Sequence, residues 1–446
     1  MHAHVRLTRI RPLIVSIMVM ALVLALAVPV ASATPKTKLI SKSSSGVQAS
    51  MGAGHPALSR DGKVVAFHTG SGLVSGDKNA RRDVYARNVP NRTTKPISRG
   101  HGGVWGNEVS RSPAISENGR FVSFYSQASN LIHGHVMTFS HSYRRDRQMG
   151  RTALVSRSSS GAVANGPSGS GDISADGRYV VFPSVASNLV AKDAKGVWQI
   201  YLRDMKLKKT YLISRNNAGT AGNQSSGDPD ISADGRFVVY ESDATNLTTK
   251  DTKGKRQVYL YDRKSKRTTL VSKNNAGKAG KGGSGDPAIS RDGKVIVYES
   301  AAANLIRAGR DSNGMPDVYR YVRSTHKTSR VSLNYRGRQI TGCTCIGSAD
   351  PDISANGRWL VFGSDGTNVT KAGNPHDYEH VYRRDLATGK VRLVSRSTSG
   401  ARGDSSSRLP RISADGRFVT FESYATNFLA HDANGHTLDV FRRGPF

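Results

Sequence analysis

The chain has 446 residues, with 65 Lys or Arg against 33 Asp or Glu, for a net charge of +32. Its two cysteines exclude a disulfide framework, and they cannot make a structural zinc site alone. The cationic balance predicts attraction to anionic surfaces such as wall polyanions; the plainer reading is a soluble chain kept dispersed by charge.

Arg6, Arg9 and Arg11 precede an almost wholly apolar run from Leu13 to Val30, and "ASA" closes it at Ala33 with small residues. That plan predicts a secretory signal peptide over residues 1–33. The alternative is an uncleaved anchor, because the run nears the ~18–20 residues that span a bilayer; the Ala-x-Ala ending favours cleavage. Residues 34–446 are then expected to be secreted or extracytoplasmic, in the cell envelope or periplasm, as a monomer without a membrane span.

From there the sequence repeats itself. The turn "S-x-[DN]-G-[RK]" recurs with its glycine at Gly62, Gly119, Gly177, Gly235, Gly293, Gly357 and Gly416, a period of about 58 residues. In the fourth unit "DPDIS", "RFVVYES", "RQVYLYDR" and "RTTLVSK" read as four strands separated by polar or Gly-rich turns, and no stretch keeps a helical period. Tandem four-stranded units predict an all-β, seven-bladed β-propeller of antiparallel blades. The last unit stops after its third strand at "LDVFRRGPF", while "KTKLISKSSSG" (residues 36–46) matches the fourth strand of the other units. The N-terminal strand is therefore expected to complete the last blade and close the ring, removing two exposed sheet edges.

The repeat "P-x-[IL]-S-x-[DN]-G-[RK]-x-[VIL]-x-[FY]" resembles that of the TolB-like, WD40-like propeller family, over essentially all of residues 34–446. The resemblance implies an exported propeller that works by binding partners. The function expected is a binding or interaction module of the envelope or extracellular space, engaging a protein or an anionic cell-wall polymer. The alternative is a carbohydrate-active hydrolase or lyase with its site at the axial mouth. First strands carry Asp172, Asp230 and Asp352 toward the axis, but Ala114, Ala288 and Arg411 hold matching places, so no acid/base dyad emerges.

Candidate sites fall in the connections. The second-to-third loops of units 1, 5 and 7 space oxygen side chains: Asp77, Asn79 and Asp83; Asp311, Asn313 and Asp317; Asp432, Asn434 and Asp439. Such sets suit Ca²⁺, and equally an Asx-turn that needs no ion. Two loops depart from the repeat. One holds His133, His135 and His141, the other His376, Asp377, Glu379 and His380, residue types fit for a transition metal or acid/base work. Third-to-fourth turns gather Lys206, Lys208, Lys209, Arg263, Lys264, Lys266 and Arg267, a patch for an anionic partner. Aromatic interleaving for stacking bases is missing, which argues against specific nucleic-acid recognition. Cys343 and Cys345, in "GCTCIG", are a loop clip or two free thiols.

Overall fold

The computed structural model describes residues 1–2, 34–133, 138–191, 196–250, 252–307 and 309–446. The expected leader over residues 1–33 lies outside them, apart from Met1 and His2, as does His135. Residues Thr34–Phe446 form seven antiparallel sheets. Blade 4 runs Ser226–Ile231, Phe237–Ser242, Gln257–Asp262, Arg267–Leu270, and the other blades repeat it. In blade 3 the first strand shrinks to two bridges, Ser168 with Ser184 and Ile173 with Val180. Gly171 stands there in place of the proline of the other blades, and a Cβ on it would lie 1.9 Å from the Val181 carbonyl oxygen. No helix among the described residues is long and apolar enough to cross a membrane.

The ring closes as the repeat predicts. Lys36–Leu39 pairs antiparallel with Asp439–Gly444 of blade 7, Lys36 opposite Gly444 and Leu39 opposite Phe441. Ile40 continues the ladder, its N–H donating to the Val440 carbonyl at 2.8 Å, and its side chain is fully buried.

The repeated turn is a small machine of fixed parts. In blade 4 the Ser232 hydroxyl donates to Asp234 at 2.6 Å and accepts the Phe237 N–H at 3.0 Å, while Asp234 accepts the Arg236 N–H at 2.9 Å. Gly235 adopts φ 70°, which favours glycine, and packs flat on the Tyr179 ring of blade 3. Arg236 then forks onto Asp262 at 2.9 and 2.8 Å, and Asp262 also accepts the Lys264 N–H of the third-to-fourth turn. Much of the cationic excess is spent in these seams. Arg263 stacks 4.1 Å over Tyr179 of the preceding blade, Arg323 3.6 Å over Phe237 of the preceding blade, and Arg383 4.8 Å over Phe446 of the next.

Apolar side chains from facing blades fill the seams, for example Val181, Ile200 and Leu202 of blade 3 against Ile231, Val238 and Tyr240 of blade 4. Within each blade an aromatic of the second strand stacks on one of the third, as Tyr240 does on Tyr259 at 5.9 Å. The tight first-to-second and third-to-fourth turns share one face. The second-to-third loops and the blade-to-blade connections share the other.

Candidate functional site at the axial mouth

A cavity of about 500 Å³ lies along the axis, walled by the first strands. Its chemistry comes from a bulge. The ladder between first and second strands skips between Gly227 and Asp230, and at the matching places in blades 1, 2, 5, 6 and 7. The residue before the proline sits in the skip with a left-handed backbone: φ is 41° at Asp228, 46° at Asp286 and 50° at Asp350. Proline suits the next place, since a bulge asks for no ladder N–H. The bulge turns all three aspartates to the lumen.

Second strands add Glu241, Glu299 and Glu422 to the same layer, in register with Gly227, Gly285 and Arg408. Small neighbours make room for them. A Cβ on Gly285 would meet Glu241 Oε2 at 2.3 Å, and one on Gly54 would meet Glu422 Oε2 at 2.5 Å. Blade 6 has Gly363 at the glutamate position, yet keeps a carboxyl there. Glu379, from the loop entering its third strand, reaches over until its Oε1 lies 2.1 Å from where a Gly363 Cβ would be. Blades 4 to 7 thus gather seven carboxyls around the mouth, with Asp228, Asp286 and Asp350 on the cavity wall and the glutamates behind them, inside a strongly basic protein.

Arg60, Arg291 and Arg411 line the same cavity, and the Arg411 charge opposes the rise that burial causes in the pKa of Asp228, Asp286 and Asp350. Arg256 reaches Glu241 at 2.9 Å and Asp243 at 3.3 Å, Arg408 reaches Glu422 at 2.8 Å, and the His55 N–H donates to Glu422 at 2.9 Å. The Glu299 carboxyl has no hydrogen bond or ion pair among the described residues, and Glu379 Oε1 is buried without a partner. Asp228, Glu241 and Asp286 bring carboxylate oxygens within 4.8 Å of one another, the one His/Cys/Asp/Glu group among the described residues to gather three ligand atoms so closely. Confinement and mutual repulsion act on the titrations. Burial, then Asp228, raises Glu241 to about 7; burial, then Asp286, raises Glu299 to about 8; burial, then Asp350, raises Glu379 to about 8. Asp286 is raised to about 6, by burial and then Asp228. Asp228 and Asp286 are open to the lumen by surface area, but the channel wall surrounds them otherwise, which is why they are raised rather than left at ordinary values.

Deeper in the channel, the aspartates noticed in the sequence serve the framework. Asp230 accepts the Ile289 N–H of blade 5 at 2.7 Å, and Asp352 accepts the Ile412 N–H of blade 7 at 2.8 Å. Each staples one blade to the next.

The oxygen-bearing loops do converge, but on protein donors. Gln48 Nε2 donates to Asp432 at 2.8 Å, Asn434 at 2.9 Å and Asp439 at 2.6 Å. In blade 5, Arg330 lies 2.9 Å from Asp317 and 3.7 Å from Asp311, while Asn313 donates to the Ile340 carbonyl. In blade 1, Asn79 donates to Asp83 at 2.7 Å and Tyr85 to Asp77.

The histidine loops scatter. His141 and His380 occupy the buried third-strand entry held elsewhere by Asp83, Gln199, Gln257, Asp317 and Asp439. Each bonds the serine two residues past the fourth strand of its blade, His141 to Ser156 at 3.0 Å and His380 to Ser395 at 3.2 Å. Burial lowers them to about 4 and about 3, so both are neutral imidazoles. His133, His376 and Asp377 are exposed. Of these candidates, Glu379 alone reaches the mouth.

Lys206, Lys208, Lys209, Lys264, Lys266 and Arg267 are exposed on the tight-turn side, whereas Arg263 is half-buried in its seam. Both cysteines are free thiols. Their loop wraps Asp365, whose carboxylate accepts the N–H groups of Thr344, Cys345, Ile346 and Gly347 at 2.9–3.0 Å. Burial and the Asp365 charge push the Cys343 thiol up to about 12.

No protein-family model matches the sequence, and no curated protein matches it. Among solved structures it is similar to an oligogalacturonate lyase in complex with manganese, at 13% identity over 93% of this chain and 90% of that one, with a TM-score of 0.52. An oligogalacturonate lyase from Vibrio parahaemolyticus gives 13% over 92% and 97%, TM-score 0.52. A putative TolB from Agrobacterium tumefaciens gives 15% over 75% and 91%, TM-score 0.42. At these identities the likeness is one of fold: the chain is a seven-bladed β-propeller, similar in architecture to oligogalacturonate lyases.

Proposed function

We propose that the chain is an exported binding propeller whose partner, a protein, presents a cationic group to the acidic axial mouth. The observation that carries this is the set of aspartates on the mouth's wall, led by Asp228, Asp286 and Asp350. The cavity wall carries six aspartates against three arginines, Arg60, Arg291 and Arg411, and a concave site with an excess of one sign between low-dielectric walls focuses its field, so the mouth attracts cations although the whole chain repels them. Hexa-arginine peptide serves as probe in titration calorimetry. Saturable binding that weakens with salt, and that disappears in the Asp228→Asn/Asp286→Asn double variant, is the expected result. Equal binding by that variant, or none by the wild type, would overturn the reading.

A second reading, a carbohydrate-active hydrolase or lyase at the same mouth, draws on a different feature. Glu299 and Glu379 stay protonated near neutrality beside more acidic carboxyls, and an acid kept protonated beside a carboxylate is what glycosidic cleavage uses. Release of reducing ends from polysaccharides, lost in Glu299→Gln, is its test.

A further inference from the structure

Two seams of the ring are built differently, and one of them opens a groove. At five of the seven, an arginine of the third strand (Arg87, Arg145, Arg203, Arg384 or Arg443) crosses to backbone carbonyls at the end of the preceding blade. Arg203 reaches Ser158 O at 2.9 Å, and Arg443 reaches Ser397 O at 2.8 Å. Blades 4 and 5 carry Tyr261 and Tyr321 at this position instead. Between blades 3 and 4 the missing clamp leaves a groove of about 430 Å³.

The groove has a definite chemistry. Leu212 and Val190 contribute apolar wall, and Tyr211 offers a ring that is 39% exposed. Tyr211 lies on the outer strand, where the other blades place Lys38, Lys95, Ala153, Thr269, Ser329 and Arg392. Arg215, Arg263 and Lys266 add cations to the lining, and no carboxylate belongs to it among the described residues. Arg215 is held by the Tyr261 hydroxyl, to which its Nε donates at 3.0 Å, and forms no ion pair among the described residues. Lys206, Lys208 and Lys209 of the blade 3 turn and Lys264 and Arg267 of the blade 4 turn are exposed close by in the chain.

We propose that this inter-blade groove binds a segment of an acidic, carboxylate-bearing polysaccharide, with one sugar ring stacked on Tyr211, its carboxylate on Arg215, and neighbouring residues of the polymer met by the flanking lysines. An exposed aromatic ring takes the apolar face of a pyranose, and a guanidinium matches a carboxylate in planar geometry. A single exposed ring is too little for a nucleic-acid strand, which needs a succession of stacking platforms. The site is independent of the axial mouth.

The test uses the whole protein with alginate oligosaccharide, neutral laminari-oligosaccharide and inorganic polyphosphate in titration calorimetry. Alginate is expected to bind saturably and the neutral sugar not to bind. Tyr211→Ala should weaken alginate about tenfold, the loss of one stacking contact, while polyphosphate is unaffected. Tyr261→Arg supplies the clamp used at five of the other seams and removes the hydroxyl that holds Arg215, so it should weaken alginate while polyphosphate binding to the flanking lysines persists. Glu substitutions at Lys206, Lys208 and Lys209 should weaken alginate and polyphosphate alike. Absent alginate binding, or alginate binding indifferent to both Tyr211→Ala and Tyr261→Arg, would overturn the proposal; in the second case charge alone would account for the attraction.

Discussion

Gly235 and Gly254 have nearly the same backbone, φ 70° and 67°, and very different surroundings. A Cβ on Gly254 meets nothing within 4 Å, while one on Gly235 lands 2.2 Å from Tyr179 Cδ2. That ring cannot retreat easily, because Arg178 and Arg263 hold it at 4.7 and 4.1 Å. Alanine at either position loses about 1–2 kcal/mol to the left-handed backbone. At Gly235 the forced contact adds about 1–3 kcal/mol, the usual range for overpacking a well-filled site. The difference between Gly235→Ala and Gly254→Ala therefore isolates the seam contact. Urea unfolding is the better assay, since in a chain this long 1 kcal/mol moves the melting temperature by only about 1 °C. Losses equal to within about 0.5 kcal/mol would refute the claim that turn glycines are selected for blade packing as well as for backbone.

Further outcomes follow from the same contacts. Deleting residues 34–46 should leave blade 7 with an open edge, seen as aggregation or a marked fall in melting temperature; a monomer melting as before would disprove closure. Gln48→Ala removes the amide whose Nε2 is shared among Asp432, Asn434 and Asp439 and whose Oε1 accepts the Ala433 N–H, at about 1 kcal/mol per hydrogen bond lost, and should destabilise the blade 7 loop, whereas a chelator should leave wild-type melting unchanged. Because the fold raises Glu241, Glu299 and Glu379 above their ordinary values, the folded state binds more protons than the unfolded one. Their contribution to stability is complete below about pH 4.5 and is lost as pH rises through about 7–8. Glu299→Gln should thus be more stabilising at pH 8.5 than at pH 5 by differential scanning fluorimetry, and a pH-independent effect would contradict the assignment.

The architecture was legible because each repeat carries its turn chemistry in plain sight. Ser232, Asp234, Gly235 and Arg236 are adjacent letters, and their contacts are local or fall on the next strand. The mouth was harder to read. Its carboxyls come from two separated positions of each unit, Asp228 with Glu241 and Asp286 with Glu299, and they share a layer only because a bulge before the proline turns the aspartate inward. Aligned units do show Asp-Pro in blades 4, 5 and 6 and glutamate in "YES" or "FES" of blades 4, 5 and 7, a signal available to position-by-position comparison. Glu379 was noticed for its loop and its histidine neighbours. Its place beside Gly363 depends on a reach across the blade that no spacing reveals.

The closing strand also sets an order of assembly. Six blades fold from neighbouring stretches of chain, but Lys36–Leu39 must find Asp439–Gly444 across nearly the whole sequence. Joining ends so far apart costs about 5 kcal/mol in loop-closure entropy if the chain between them is unfolded, and far less once the other blades have curved into an arc. Blade 7 is therefore completed last. The same seam is where the ring gives way first under heat or force, and amide hydrogens of Lys36–Leu39 should exchange ahead of those in the second and third strands of the other blades.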